Sequence, residues 1–211
     1  MSSTKRDYVC AATNYAEQVI AGRIPACRWV RLACERQIND LGRSGFEWHF
    51  DQANAARICD FVERLPHVEG KWKSKTIVLE PWQCFILTTI FGWVDDDGFR
   101  RFRKALIVIP RKSSKTTMAA AVALYLLAAD KEPGAQIYSA AKTRDQAKIS
   151  WEIASKMVHR SAGMRSRFGL DPMAHSIVRE REGSYYKPLA RDADSLEGLN
   201  IHGGIIDELH V

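Results

Sequence analysis

IPRKSSKTT, from Ile109 to Thr117, is the stretch on which the reading of this chain turns. A continuous apolar run, Ala105 to Ile109, leads into it and ends at Pro110, and an Ala- and Leu-rich stretch, Thr116 to Ala129, follows it. The first predicts a buried strand entering a loop, and the second a strongly apolar helix. Strand, basic loop and helix in that order suit an anion. The first N–H groups of a helix lack intrahelical partners and the helix dipole is positive there, so a Lys at the helix start can reach β and γ phosphates while a neighbouring hydroxyl holds magnesium. Lys115 and Thr116 stand at those places. The usual pattern is GxxxxGK(S/T), yet Ile109 and Ser114 occupy the two glycine positions. Serine lacks glycine's freedom of φ, so taken alone the segment reads equally well as a basic turn before a helix.

Downstream, Ala135 to Ala140 predicts a short strand and Thr143 to His159 a helix opened by a Thr cap. Ser176 to Val178 and Tyr185 to Leu189, split by a charged turn, predict a hairpin, and Gly203 to Ile206 predicts a last strand running into Asp207 and Glu208. An Asp and a Glu at a strand end can serve magnesium and activate a water, respectively, although acid pairs also occur in solvated loops. Upstream, Glu80-Pro81-Trp82-Gln83 precedes an apolar helical run, Cys84 to Trp93. The Gln83 amide suits the edge of adenine and Trp82 could close the base pocket; a Pro-initiated helix with an interfacial Trp is the plain alternative.

Before Pro66 the residues favour helices, with breaks at Gly22 to Pro25 and Gly42 to Gly45. Between Asp51 and Leu65, the residues Ala55, Ile58, Cys59, Val62 and Leu65 share one helical face. The expectation is therefore a helical N-terminal subdomain, 1–65, and an α/β nucleotide-binding domain, 66–211. The net charge of +6 makes the surface mildly attractive to polyanions such as DNA without proving a site for them. The five cysteines show no metal-ligand spacing and read as buried, reduced thiols. No signal peptide or membrane-length apolar run is visible, so a cytoplasmic protein with no membrane partner is expected.

Taken together, LEPWQ at Leu79 to Gln83, PRKSSKTT at Pro110 to Thr117, YSAAKTRDQA at Tyr138 to Ala147 and DADSLEGLNIHGGIIDELH at Asp192 to His210 resemble the ATPase region of phage terminase large subunits. The likeness in order and spacing covers roughly Asp51 to Val211. Phosphate loops of that family are deviant, with an Arg near the start and a Lys-Ser/Thr ending; Arg111 and Lys115-Thr116 match, whereas Ser114 departs from the glycine common there. The resemblance implies an ASCE-type P-loop NTPase with a mostly parallel sheet flanked by helices, and a loop strand lying between the acid-motif strand and a later strand. It implies ATP and Mg2+ as ligands. Gln83 would recognise adenine, and Arg111, Lys112, Ser113, Ser114, Lys115, Thr116 and Thr117 would form the loop around the phosphates, Arg111 acting also in catalysis. Thr116 and Asp207 would serve magnesium, and Glu208 would be the catalytic carboxylate. Arg144 and Gln146 would relay nucleotide state toward DNA or simply be polar residues at a helix start.

The implied partners are double-stranded DNA, a portal protein and a small terminase subunit, with the working motor a homo-oligomeric ring in the cytoplasm of a bacterial host. The chain stops just after the acid motif, so the sheet is expected to be incomplete at the C-terminus. The coupling motif and nuclease domain are absent from these 211 residues, and feeble ATP hydrolysis at best is expected from them. The alternatives are another helicase-like P-loop translocase, or a non-catalytic remnant that binds nucleotide or DNA.

Overall fold

The computed structural model describes residues 6–70, 75–141, 143–189 and 199–207. Its contacts group the chain into two compact units: Met1–Asp60 with Val78–Ile107, and Phe61–Ile77 with Val108–Val211. Each unit is built from two segments of the chain.

The first unit is mainly helical. Helix α1 (Tyr8–Ile20), capped by the Asp7 carboxylate on the Cys10 N–H, packs against α2 (Arg28–Leu41) and α4 (Pro81–Gly92). The breaks between α1 and α2, and after α2, fall at the expected glycines. A short antiparallel pair joins β1 (His49–Phe50) to β2 (Trp93–Val94), and α3 (Gln52–Glu63) follows β1. The buried Trp93 donates its indole N–H to Gln37 at 2.7 Å, so both polar groups are satisfied in the core. Gly92 lets the backbone approach Phe50: a Cβ there would lie 2.5 Å from the Phe50 ring and 2.9 Å from Ala55 Cβ.

The second unit is an α/β layer. Its strands are β3 (Gln136–Ala140), β4 (Asp171–Pro172), β5 (Ile177–Arg179), β6 (Ser184–Pro188) and β7 (Ile201–Ile206), in the order β4-β5-β6-β3-β7. The sheet is mixed: β3 runs parallel to β6 and β7, whereas β4, β5 and β6 are antiparallel. A mostly parallel sheet was expected, but β5 and β6 are joined by a single 3-10 turn, Glu180–Glu182, closed by Gly183 at φ 64°, and so short a connection permits only a hairpin. Helices α5 (Lys115–Ala128) and α6 (Arg144–Arg160) lie side by side against β3, and α7 (Ala162–Phe168) follows α6. Helix α5 is apolar around most of its circumference, and Met118, Ala120, Ala121, Leu124 and Leu127 are all buried in it, as a helix at the centre of a layer requires.

One expectation fails outright. Ala105 to Ile109 is no buried strand: no strand is assigned there, and Leu106 and Val108 are 84% and 83% exposed. An apolar run records a tendency to be buried, but a strand exists only where a second backbone supplies hydrogen bonds, and among the described residues none pairs with this one. The thiol reading changes in part: none of the five cysteines is in a disulfide, but only Cys34, Cys59 and Cys84 are buried, with Cys10 and Cys27 exposed. Burial pushes the Cys34 thiol up to about 11, with the Glu35 charge adding to the effect. Among the described residues no helix is long and apolar enough to cross a membrane.

Candidate functional site

The loop before α5 takes an unusual path. Ser114 is the N-cap of α5, yet its backbone is left-handed at φ 57°, ψ 27°, and its side chain makes no capping hydrogen bond. Lys112 is left-handed as well, at φ 65°. These are conformations that glycine adopts freely and that cost other residues roughly 1–2 kcal/mol. The serine at the missing second glycine therefore holds the backbone a glycine would hold, and the first turn of α5 opens with no acidic side chain and no cap.

Strand β7 delivers the acid. Its Gly203 sits opposite Ile137, and a Cβ on it would fall 2.6 Å from Leu126 Cδ1 and 3.2 Å from Ile137 Cδ1, so a bare backbone lets β7 lie close against α5 and β3. Asp207, at the end of β7, donates its N–H to the Ala140 carbonyl at 3.2 Å, which extends the β3 pairing to the acid itself. The far end is anchored by His202 against Asp130 at 2.7 Å.

These two constructions meet. Thr116 Oγ1 donates to Asp207 Oδ2 at 3.1 Å across 91 residues of sequence, and Lys115 Nζ lies 3.5 Å from Asp207 Oδ1. The meeting point opens into a cavity of about 510 Å³ whose wall includes Arg111, Lys112, Ser114, Lys115, Thr116, Thr117 and Asp207. Ser113 belongs to the same loop, half-buried, without being part of that wall. Beneath the site, burial above all raises the pKa of Tyr186, hydrogen bonds with Ser139 and Ser150 oppose the rise and the Asp207 charge adds to it, so the phenol stays neutral.

Gln83 belongs to the first unit, is nearly buried, and uses its carboxamide oxygen to accept the Glu80 N–H at 2.9 Å in a capping box at the start of α4. Glu208 and the Arg144 side chain lie outside the described residues. Ile149, Ile153 and Glu69, which no motif singles out, complete the cavity wall together with Pro110 and Gln146. The spacing of 146, 149 and 153 on one helical face was the signal available.

Residues 81–211 match the family described as terminase large subunit, ATPase domain. The chain belongs to that family. It is 27% identical over 154 residues to the terminase large subunit of Enterobacteria phage HK97, an alignment that takes in 72% of this chain and 30% of the relative. The crystal structure of the HK97 bacteriophage large terminase superposes with a TM-score of 0.59 at 22% identity, over 72% of this chain and 30% of that one, and so supports the same α/β fold. The chain spans 30% of the length of these relatives.

Proposed function

We propose that this terminase ATPase region is a P-loop NTPase of the ASCE type. In this reading it binds ATP with Mg2+ at the Lys115–Asp207 cavity and hydrolyses it to drive double-stranded DNA into a procapsid. The observation that carries the reading is the Thr116 hydroxyl meeting the Asp207 carboxylate beside Lys115. A hydroxyl and a carboxylate are hard oxygen donors, and magnesium takes few protein ligands while keeping several waters, so Thr116 and Asp207 fit such an ion. Held by Thr116 and Asp207, the ion would supply positive charge to neutralise charge developing on the phosphate.

The chain's own residues do the rest. The uncapped first turn of α5 offers N–H donors to the phosphates, Lys115 exchanges its contact with Asp207 for the β and γ phosphates, and Arg111 from the cavity wall stabilises charge on the transferring group. Glu208, next along from Asp207, is assigned to take a proton from the attacking water. Gln83, with its carboxamide oxygen held by the Glu80 N–H, would meet the adenine edge through its amide nitrogen. The working motor is proposed as a homo-oligomeric ring on a portal protein, supplied with DNA by a small terminase subunit in the host cytoplasm.

ATP turnover with and without DNA tests the reading. Stimulation by double-stranded over single-stranded DNA is expected, and Glu208→Gln should bind ATP while turnover falls on the order of 100-fold. Stimulation by single-stranded DNA alone would favour a helicase-like translocase. Tight binding without any turnover would favour a non-catalytic remnant.

A further inference from the structure

Beyond the loop and Asp207, the cavity is walled by Gln146, Ile149 and Ile153 of α6 and by Glu69, which is held by Lys156 at 3.6 Å. The Gln146 carboxamide oxygen is buried and has no hydrogen-bond partner among the described residues. A desolvated acceptor left without a donor is unfavourable, and the large majority of buried polar atoms avoid that state. The surroundings of Gln146 are nevertheless well tied down. Its backbone N–H is held by the Thr143 hydroxyl at 3.2 Å, and the next carbonyl, Ala147, accepts from Ser139 Oγ of β3 at 2.8 Å. That same strand, one residue on, holds Asp207 through the Ala140 carbonyl. Strand β3 thus places the start of α6 and the acid of β7 on one rigid support, while the Gln146 carboxamide can turn about a broad terminal torsion.

The chemistry of the cavity narrows what the oxygen is for. Phosphate oxygens of a nucleotide at neutral pH are acceptors and cannot satisfy another acceptor, whereas a water lying against the γ phosphate has two protons to donate. We propose that Gln146 holds the attacking water by accepting one of its hydrogen bonds, on the stretch of cavity wall it shares with Ile149 and Ile153. The inference rests on the ATP-hydrolysis reading of this site. In the step, the water oxygen bonds to the γ phosphorus as the bond from that phosphorus to the β–γ bridging oxygen breaks. ADP leaves with that electron pair, and one water proton passes to the Glu208 carboxylate. Gln146 gains and loses no proton.

Gln146→Met removes the acceptor at nearly constant volume, and Gln146→Leu is the second variant should the first fail to melt cooperatively. Binding of ADP with beryllium fluoride reports phosphate recognition, and binding of ADP with aluminium fluoride also reports the in-line water. The expected result is a loss of tenfold or more for the aluminium complex with the beryllium complex within twofold, together with a fall in kcat at unchanged KM. Equal losses for both complexes, the result expected if Gln146 contacted the base, or no loss for either, would overturn the proposal. A wild-type chain that binds neither complex would instead remove the nucleotide reading itself, and this inference with it.

Discussion

Helices α5 and α6 lie side by side against the same strand, and their first turns are built in opposite ways. At α6, Thr143 has an extended backbone, its hydroxyl accepts the Gln146 N–H, Asp145 stands in the first turn and His159 and Arg160 in the last. Every one of these choices stabilises a helix. At α5, the capping residue is left-handed, its side chain caps nothing, and a lysine rather than an acid opens the helix against its dipole. Such a start is unfavourable by itself and favourable once an anion sits on it. The contrast argues that the start of α5 is shaped for an anion, whereas the cap of α6 secures the helix that carries Gln146, and it can be broken at either helix.

The largest effect is expected at Lys115. Lys115→Ala should weaken ATP binding on the order of 100-fold, since hydrogen bonds to charged groups contribute about 1.5–3 kcal/mol and the phosphate carries more than one. Calorimetry on the folded variant decides this, and unchanged affinity would end the reading of α5 as an anion site. Next comes Gly203→Ala, which crowds Leu126 and Ile137 beneath the strand that carries Asp207. A loss of about 1–3 kcal/mol is expected from overpacking, read as a lower urea midpoint. A change below about 0.5 kcal/mol would show that Leu126 swings aside at little cost.

Thr143→Ala should cost about 1 kcal/mol of stability and leave ATP affinity alone, because it removes the cap on the Gln146 N–H and no group assigned to the phosphates. A drop in affinity with unchanged melting would reverse the roles assigned to the two termini. Smallest of all is Ser114. Glycine relieves a left-handed residue of roughly 1–2 kcal/mol but loses about 0.5–1 kcal/mol more backbone entropy on folding, so Ser114→Gly should stabilise by about 0.5 kcal/mol. Ser114→Ala should be nearly neutral, since the serine side chain makes no cap bond. A large loss in Ser114→Ala would mean that the hydroxyl, and not only the backbone, holds the loop.

Local signals were legible along the chain because each is written in neighbouring residues. The Thr143 cap, the turn between β5 and β6, the apolar run of α5 and the helical face from Ala55 to Val62 all appear within a residue or two of where they were expected, whereas Leu65, expected on that face, lies past the helix end at Glu63. Short elements were not legible: β1, β2 and β4 span two residues each, too few for any period to register. Glu80 and Gln83 showed a helix start, yet the capping box that occupies the Gln83 oxygen became visible only with atoms in place.

What the sequence by itself determined is the inventory of the proposed site: Lys115 and Thr116 at a helix start, Asp207 after an apolar strand with Glu208 next in the sequence, and the Thr143 cap between them. Those assignments rest on local backbone preference and side-chain chemistry, which act over a few residues. Only the tertiary structure decided that Ser114 takes the glycine conformation, that Ala105 to Ile109 is exposed rather than paired, and that Thr116 and Asp207 stand 3.1 Å apart across 91 residues. Each of these depends on which strand finds which neighbour. β7 pairs with β3 because Gly203 leaves room for Leu126 and Ile137, and no run of adjacent residues encodes that fit.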